Sequence, residues 1–305
     1  MADNRNSNLP RIDKVIVTRK GAAVHLPYMF RKGTTGSTVV FIHGLGGAKE
    51  NFYAAFQSSA MTDYDLLAFD LPGTGLAPFC PSNSPDVTSL AEIVHLAWQA
   101  VAPGPAFVVG ASMGGLIALL LARQNGYARF RGLINIEGNL TAEDCMFSRP
   151  SAAVTLEQLA ATVFDEARRK LQTSPYPGDH MTAHSMALNT DIRAYHSYSL
   201  QTVVESDSGI PLEEFLSLPV PRLFLYGDAN RHLSYLARLR ASDVEVREIP
   251  ESGHFLFYDN PIATYHEIGS FIGRHQGELS TYMQRLWLTI NRFLAELSLW
   301  KEVRC

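Results

Sequence analysis

Cysteine is scarce. Cys80, Cys145 and Cys305 are the only three in 305 residues, odd in number and far apart. They offer neither a disulfide framework nor a C-x-x-C metal pair, and a reducing compartment is the simplest setting for such a chain. A surplus of either charge is lacking too. Lys and Arg number 26 against 30 Asp and Glu, a formal net charge of −4, with none of the basic excess by which proteins hold nucleic acid. Residues 1–10 are polar, without the apolar stretch behind a basic start that marks a targeting signal, so a cytoplasmic location is expected. No integral membrane segment is expected either. Residues 96–122 carry no charge, which invites a membrane-helix reading. However, Pro103, Gly104, Pro105, Gly110, Gly114 and Gly115 divide the stretch, and it reads instead as strand, turn and helix of a buried α/β element. What the chain does have is apolar mass. Hydrophobic residues make up 46% and charged ones 18%, enough for a sizeable core and incompatible with disorder as the main state. The length fits one large α/β domain with an insertion, or about two domains of ordinary size.

Short apolar runs recur along the chain and end in glycine-rich turns. Residues 14–18 and 23–29 read as strands of a hairpin around Lys20-Gly21. Residues 38–42 (TVVFI) lead into His43-Gly44-Leu45-Gly46-Gly47, and residues 65–69 (DLLAF) into Asp70-Leu71-Pro72-Gly73. Residues 106–109 (AFVV) lead into Gly110-Ala111-Ser112-Met113-Gly114-Gly115, and residues 133–136 into Glu137-Gly138. Residues 222–226 end at Gly227-Asp228, and residues 244–249 precede Ser252-Gly253-His254. Helical spacing is read between them at 88–101, 114–125 and 231–241. Strands alternating with helices imply βαβ crossovers and a mostly parallel sheet. Residues 141–215 break this rhythm, with helical spacing at 155–171 and no clear buried strand, and read as a helical cap inserted into the core.

Chemistry concentrates where the strands end. Gly110-x-Ser112-x-Gly114 follows a buried strand and opens an apolar helix. A strained strand-to-helix turn lifts the serine side chain, and bulky neighbours would clash there. The helix N-terminus favours developing negative charge. Backbone N–H groups of the 43–47 loop can point at an oxyanion together with the N–H of Met113, while His43 reads as structural. His254, in the loop after the last strand, can serve as general base to a serine.

Taken in order, HGLGG, DLPGTG, GASMGG and SGHFLFYDNP resemble the α/β-hydrolase superfamily over roughly residues 14–275. The resemblance implies an eight-stranded, mostly parallel sheet flanked by helices, with a helical cap after strand six. It also implies Ser112 as nucleophile, His254 as base, and Leu45 and Met113 as backbone donors to the oxyanion. Thr74 stands where the family often has histidine, at a position that is not catalytic. The acid has two candidates. The position after strand seven that usually carries it falls on Asn230, which cannot hold a negative charge. Glu137 occupies the strand-six position used by some branches of the superfamily and is the expected partner of His254; Asp228, two residues before Asn230, is the alternative.

A serine at the turn argues against haloalkane dehalogenase and epoxide hydrolase chemistry, which use aspartate there, and leaves acyl transfer to water. The expectation is a serine hydrolase acting on a small-molecule carboxylic ester or lactone, with no cofactor. C–C cleavage of a diketone and a non-catalytic small-molecule receptor are the alternatives. Tyr176, His180, His184, Tyr195, His196 and Tyr198 give the cap a polar aromatic character suited to a medium-sized substrate. The four-residue spacing of His180 and His184 lacks a third ligand pattern, so no metal is expected. The expected divisions are a core of residues 1–140 and 216–276, a cap of 141–215 and an extension of 277–305. In the extension, Met283, Leu286, Trp287, Ile290, Phe293, Leu294, Leu297 and Trp300 fall at helical spacing. This apolar face is suited to packing on its own domain, to a homodimer contact or to a membrane surface.

Overall fold

The computed structural model describes residues 9–80 and 86–276. Eight strands form one sheet: β1 (Arg11–Arg19), β2 (Ala22–Arg31), β3 (Thr38–Ile42), β4 (Asp65–Phe69), β5 (Ala106–Ala111), β6 (Phe130–Ile136), β7 (Arg222–Gly227) and β8 (Glu245–Ile249). Their order across the sheet is β1-β2-β4-β3-β5-β6-β7-β8. The first two pairings, β1 with β2 and β2 with β4, are antiparallel, and the rest are parallel. The β1–β2 hairpin pairs Arg19 with Ala22 across a two-residue turn. Lys20 and Gly21 both take positive φ there, the turn whose twist matches its flanking strands.

Between β3 and β5 the chain forms α1 (Tyr53–Gln57) and α2 (Val87–Val101), and α3 (Met113–Asn125) joins β5 to β6. Between β6 and β7 runs a helical insert of α4 (Ser148–Ala152), α5 (Leu156–Gln158), α6 (Phe164–Gln172), α7 (Pro177–Asn189), α8 (Ile192–Asp207) and α9 (Ile210–Ser217). α10 (Leu236–Arg240) precedes β8, and α11 (Leu256–Asp259) and α12 (Pro261–His275) follow it.

β3 and β4 are buried along their whole length, which explains why their sequences are continuous apolar runs rather than alternations. Successive side chains of β3 still face opposite ways. Val40 and Ile42 join a core layer with Leu90, Trp98 and Leu120 of α2 and α3. Val39 and Phe41 join the opposite layer with Phe56 of α1 and Ile268 of α12. Burying one such side chain contributes about 2 kcal/mol. α3 lies in this interior and is apolar nearly all round. With the sheet covered on both faces, the carboxyl ends of the parallel strands are the open edge, the usual place for a ligand in this kind of architecture.

Two helices differ from their sequence reading. The run at 231–241 is helical only over α10. Leu233 and Tyr235, two residues apart, are both buried, which one continuous helix cannot achieve on a single face. The chain instead makes i to i−3 turns, with Leu233 N–H on the Asn230 carbonyl and Leu236 N–H on the Leu233 carbonyl, each 3.2 Å. The run at 155–171 is helical as expected but widens into a π-type turn at Leu159–Val163 between α5 and α6. The extension at 277–305, with its apolar helical face, lies outside the described residues.

Candidate active site

β5 delivers Ser112 directly into α3. Its backbone is strained, at φ 53° and ψ −125°, a region that non-glycine residues adopt only where the surroundings enforce it. A methyl at Gly114 would lie 2.1 Å from the Ile42 carbonyl oxygen of β3, and one at Gly44 would lie 2.9 Å from Ser112 Cβ. The loop after β3 and the serine turn can therefore pack this closely only with glycine at both positions. The Ser112 N–H donates to the Ile136 carbonyl at 3.0 Å, tying the turn to β6. Met113 opens α3, so its N–H has no acceptor within the helix.

The loop after β3 is held by His43. The Leu71 N–H donates to its Nε2 at 3.2 Å, so the ring proton sits on Nδ1 and is donated to the Gly44 carbonyl at 2.8 Å. Burial lowers the pKa of His43 and keeps the ring neutral, in keeping with its structural reading. Thr74 Oγ1 lies 3.0 Å from the same Nε2. Beneath the loop, Lys49 and Asp70 form a fully buried ion pair at 2.9 Å.

Glu137 follows β6 directly and is the second strained residue of the site, at φ 41°. Its carboxylate is 3% exposed and surrounded by donors. The Gly227 N–H donates to Oε1 at 2.8 Å, and Asn230 Nδ2 reaches Oε1 at 2.9 Å and Oε2 at 2.8 Å. His254 Nδ1 lies 2.7 Å from Oε2. With the Nδ1 proton committed to Glu137, Nε2 is left as the basic nitrogen. It is buried and has no hydrogen-bond partner in the structure, and His254 lines a small cavity of about 10 Å3 whose wall also includes Ser112 and Leu45. Burial alone would lower the pKa of His254. The hydrogen bond and charge of Glu137, assisted by Asp144 and Asp179, outweigh it and raise the pKa above the ordinary histidine value.

Asp228 is placed elsewhere. Its Oδ1 accepts the Ser252 N–H at 2.9 Å and so steadies the loop that carries His254. That loop is held from its other side by Asp259, whose two oxygens accept the N–H groups of Gly253 at 2.9 Å and Gly178 at 2.7 Å. Asp259 thereby links the His254 loop to the first turn of α7 in the insert.

Three residues to which the sequence assigns no role belong to the site. Asn230 supplies the amide that holds Glu137. Asp144 is buried just after β6, accepts N–H bonds from Leu140 at 2.8 Å and Thr141 at 2.7 Å, and takes the Tyr235 hydroxyl at 2.7 Å. Burial pushes its pKa up to about 6 against the pull of those bonds. Phe147 packs against both His254 and Phe255, with ring centroids 5.7 Å away in each case.

A larger cavity of about 600 Å3 opens between the insert and the His254 side of the core, within the range of small-molecule sites. Among the insert aromatics, Tyr176 lines it. Tyr195 and Tyr198 are instead buried where the insert packs on the core, Tyr198 donating to the Pro72 carbonyl at 2.5 Å. His180 and His196 donate to the carbonyls of Ser174 and Val154, each at 2.8 Å. Among the described residues no group of three or more His, Cys, Asp or Glu is placed to hold a metal ion, and no helix is long and apolar enough to cross a membrane.

Residues 39–268 match the model of the alpha/beta hydrolase family. The chain belongs to this family. The sn-1-specific diacylglycerol lipase ABHD11 of Danio rerio is 25% identical over 272 residues, spanning 83% of this chain and 84% of its own. A thermophilic esterase from Thermogutta terrifontis superposes with a TM-score of 0.71 at 18% identity, covering 87% of this chain and 99% of its own. The N-acyl homoserine lactonase AidH, solved as a mutant complexed with N-hexanoyl homoserine, superposes with a TM-score of 0.66 at 16% identity, over 87% and 98%. At these identities the two solved structures bear on the fold alone. The eight-stranded, mostly parallel sheet flanked by helices is the architecture of this family, and the protein is accordingly a hydrolase of alpha/beta type.

Proposed function

We propose that this hydrolase cleaves a carboxylic ester or lactone through a covalent acyl-enzyme. The observation that carries the reading is the arrangement around His254. Its Nδ1 is bound to a buried carboxylate, its Nε2 is unpartnered, and His254 and Ser112 line one small chamber. In this scheme Ser112 Oγ attacks the substrate carbonyl while Nε2 takes its proton, and Glu137 stabilises the imidazolium that forms. The N–H groups of Leu45 and Met113 donate to the tetrahedral oxyanion. Collapse breaks the C–O bond, and Nε2 returns the proton to the leaving alcohol. A water molecule, deprotonated by the same nitrogen, then attacks the acyl-enzyme and releases the acid, restoring Ser112. The family relationship and the strained serine turn support the same reading, and the helical insert would act as a cap over the substrate.

The test is labelling with a fluorophosphonate probe, followed by mass spectrometry, alongside a panel of p-nitrophenyl esters and aryl lactones. Labelling at Ser112, with turnover that Ser112→Ala abolishes, is expected. Label at another residue, or undiminished turnover by Ser112→Ala, would sink the assignment.

A further inference from the structure

The two cavities at the site are unequal, and they share a wall. The chamber of about 10 Å3 is bounded by Ser112, Leu45, Asn51, Thr182 and Phe257, and also by Phe147 and His254. The cavity of about 600 Å3 is also bounded by Phe147 and His254. Its apolar wall is Val163, Ala167, Leu171 and Tyr176, with Glu166, Lys170 and Asp179 on the same lining. Phe147 thus borders both spaces, packed against the rings of His254 and Phe255, while His254, the other shared wall, is where one space passes into the other.

Reaction geometry assigns the halves of an ester to these spaces. Protonation of the leaving oxygen by His254 Nε2 puts the alcohol on the His254 side, where the large cavity lies. The carbonyl oxygen turns to the backbone amides of Leu45 and Met113. The acyl substituent then remains in the serine chamber, which has room for about one water molecule. An acetyl methyl is of that size, whereas a butanoyl or octanoyl chain would have to displace Phe147 or the residues behind it. In a packed interior such displacement is costly.

We propose that the site, read as the ester hydrolase above, takes esters of a short acyl group, acetyl or close to it, with a bulky and largely apolar alcohol. Phe147 is the partition that sets the acyl limit. The charged groups on the large cavity suit an alcohol with a polar far end.

Two substrate series test this, each normalised to the concentration of enzyme titrated by fluorophosphonate. Along p-nitrophenyl acetate, butanoate and octanoate, kcat/KM of the wild type is expected to fall at least about 100-fold, a size reachable by pocket discrimination over several methylenes. In Phe147→Ala the acetate-to-octanoate ratio should shrink to below about tenfold, and Phe147→Leu should lie between, giving a second reading should the alanine variant fold poorly. On the other side, Ala167→Trp narrows the large cavity, and the ratio of 1-naphthyl acetate to methyl acetate turnover should fall about tenfold. Octanoate preferred by the wild type, or an acetate-to-octanoate ratio unmoved by either Phe147 substitution, overturns the partition while leaving the hydrolase reading intact. So does an unmoved naphthyl-to-methyl ratio in Ala167→Trp. If no ester of either series is hydrolysed and Ser112 is not labelled, the hydrolase reading itself falls and takes the partition with it.

Discussion

The carboxyl ends of β6 and β7 lie side by side in the sheet, pairing Ile136 with Leu225, yet they hold their polar residues in opposite ways. After β6, Glu137 sits at strained φ with both oxygens engaged by donors and by His254 Nδ1. After β7, Asp228 bonds a backbone amide of the His254 loop, while Asn230 turns its side-chain amide onto Glu137. The carboxylate and the amide are thus shared out between neighbouring strand ends: one brings the charge and the other the donors that fix it. An acidic side chain at a strand end is therefore not enough to assign the role. Its surroundings decide whether it is aimed at the histidine or spent on a turn.

The largest effect expected from breaking this arrangement is at Glu137. Glu137→Gln keeps the shape but loses the charge and can reverse the tautomer of His254; in serine–histidine–acid sites such a change lowers turnover roughly 10^4-fold. A loss of at least about 10^3 in kcat/KM is expected here, and a variant retaining a tenth of wild-type turnover would detach Glu137 from the chemistry. The pH profile sharpens the point. In the proposed mechanism His254 must be neutral to act as base, and its pKa is raised in the folded protein. Activity should fall as pH drops through a midpoint above about 6.5, the ordinary histidine value. In Glu137→Gln, with the raising partner gone, that midpoint should move lower. A midpoint that stays where it was would contradict the cause assigned to the shift.

Asn230→Asp comes next. It replaces a donor with a second carboxyl group within about 3 Å of Glu137, and two carboxylates that close cannot both ionise readily. One of the pair must titrate above its unfolded value. A carboxyl group whose folded pKa is raised binds its proton more tightly in the native state, so stability is lost as pH rises from the unfolded pKa through the folded one. The variant should be destabilised by roughly 2 kcal/mol near neutral pH and less so at pH 5. Thermal melts at the two pH values check it. Equal destabilisation at both would mean that the new carboxyl has turned away from Glu137.

How much of this is legible in the sequence depends on whether local pattern or tertiary neighbours decide the outcome. β3 and β4 fall at the residues where their apolar runs begin and end, because strands buried on both faces declare themselves by composition. Ser112 and Glu137 are legible because each directly follows a strand and precedes glycine or helix. Asn230 reads in the sequence only as a missing acid. Its position beside Glu137 exists only once β6 and β7 are paired. Asp144 and Phe147 are silent for a similar reason: one is defined by Tyr235, 91 residues away, and the other by the His254 loop. The helix at 231–241 is overextended in the sequence reading because burial of both Leu233 and Tyr235 overrides local propensity there.

The smallest expected effect belongs to Asp228, and it bears most directly on the comparison. Asp228→Asn keeps an oxygen able to accept the Ser252 N–H and removes only the charge. If the carboxylate serves the turn, stability should fall by no more than about 1 kcal/mol, the difference between a charge-assisted hydrogen bond and a neutral one. Turnover should stay within about threefold of wild type, since the hydrogen bond of His254 is made to Glu137 and the loop retains its anchor at Asp259. Asp228→Ala removes the acceptor as well and should cost stability further, with activity following only as far as the His254 loop loosens. A loss in Asp228→Asn approaching that of Glu137→Gln would reverse the comparison. The charge that matters would then come from β7 in the reacting enzyme, and Glu137 would be the residue holding the turn.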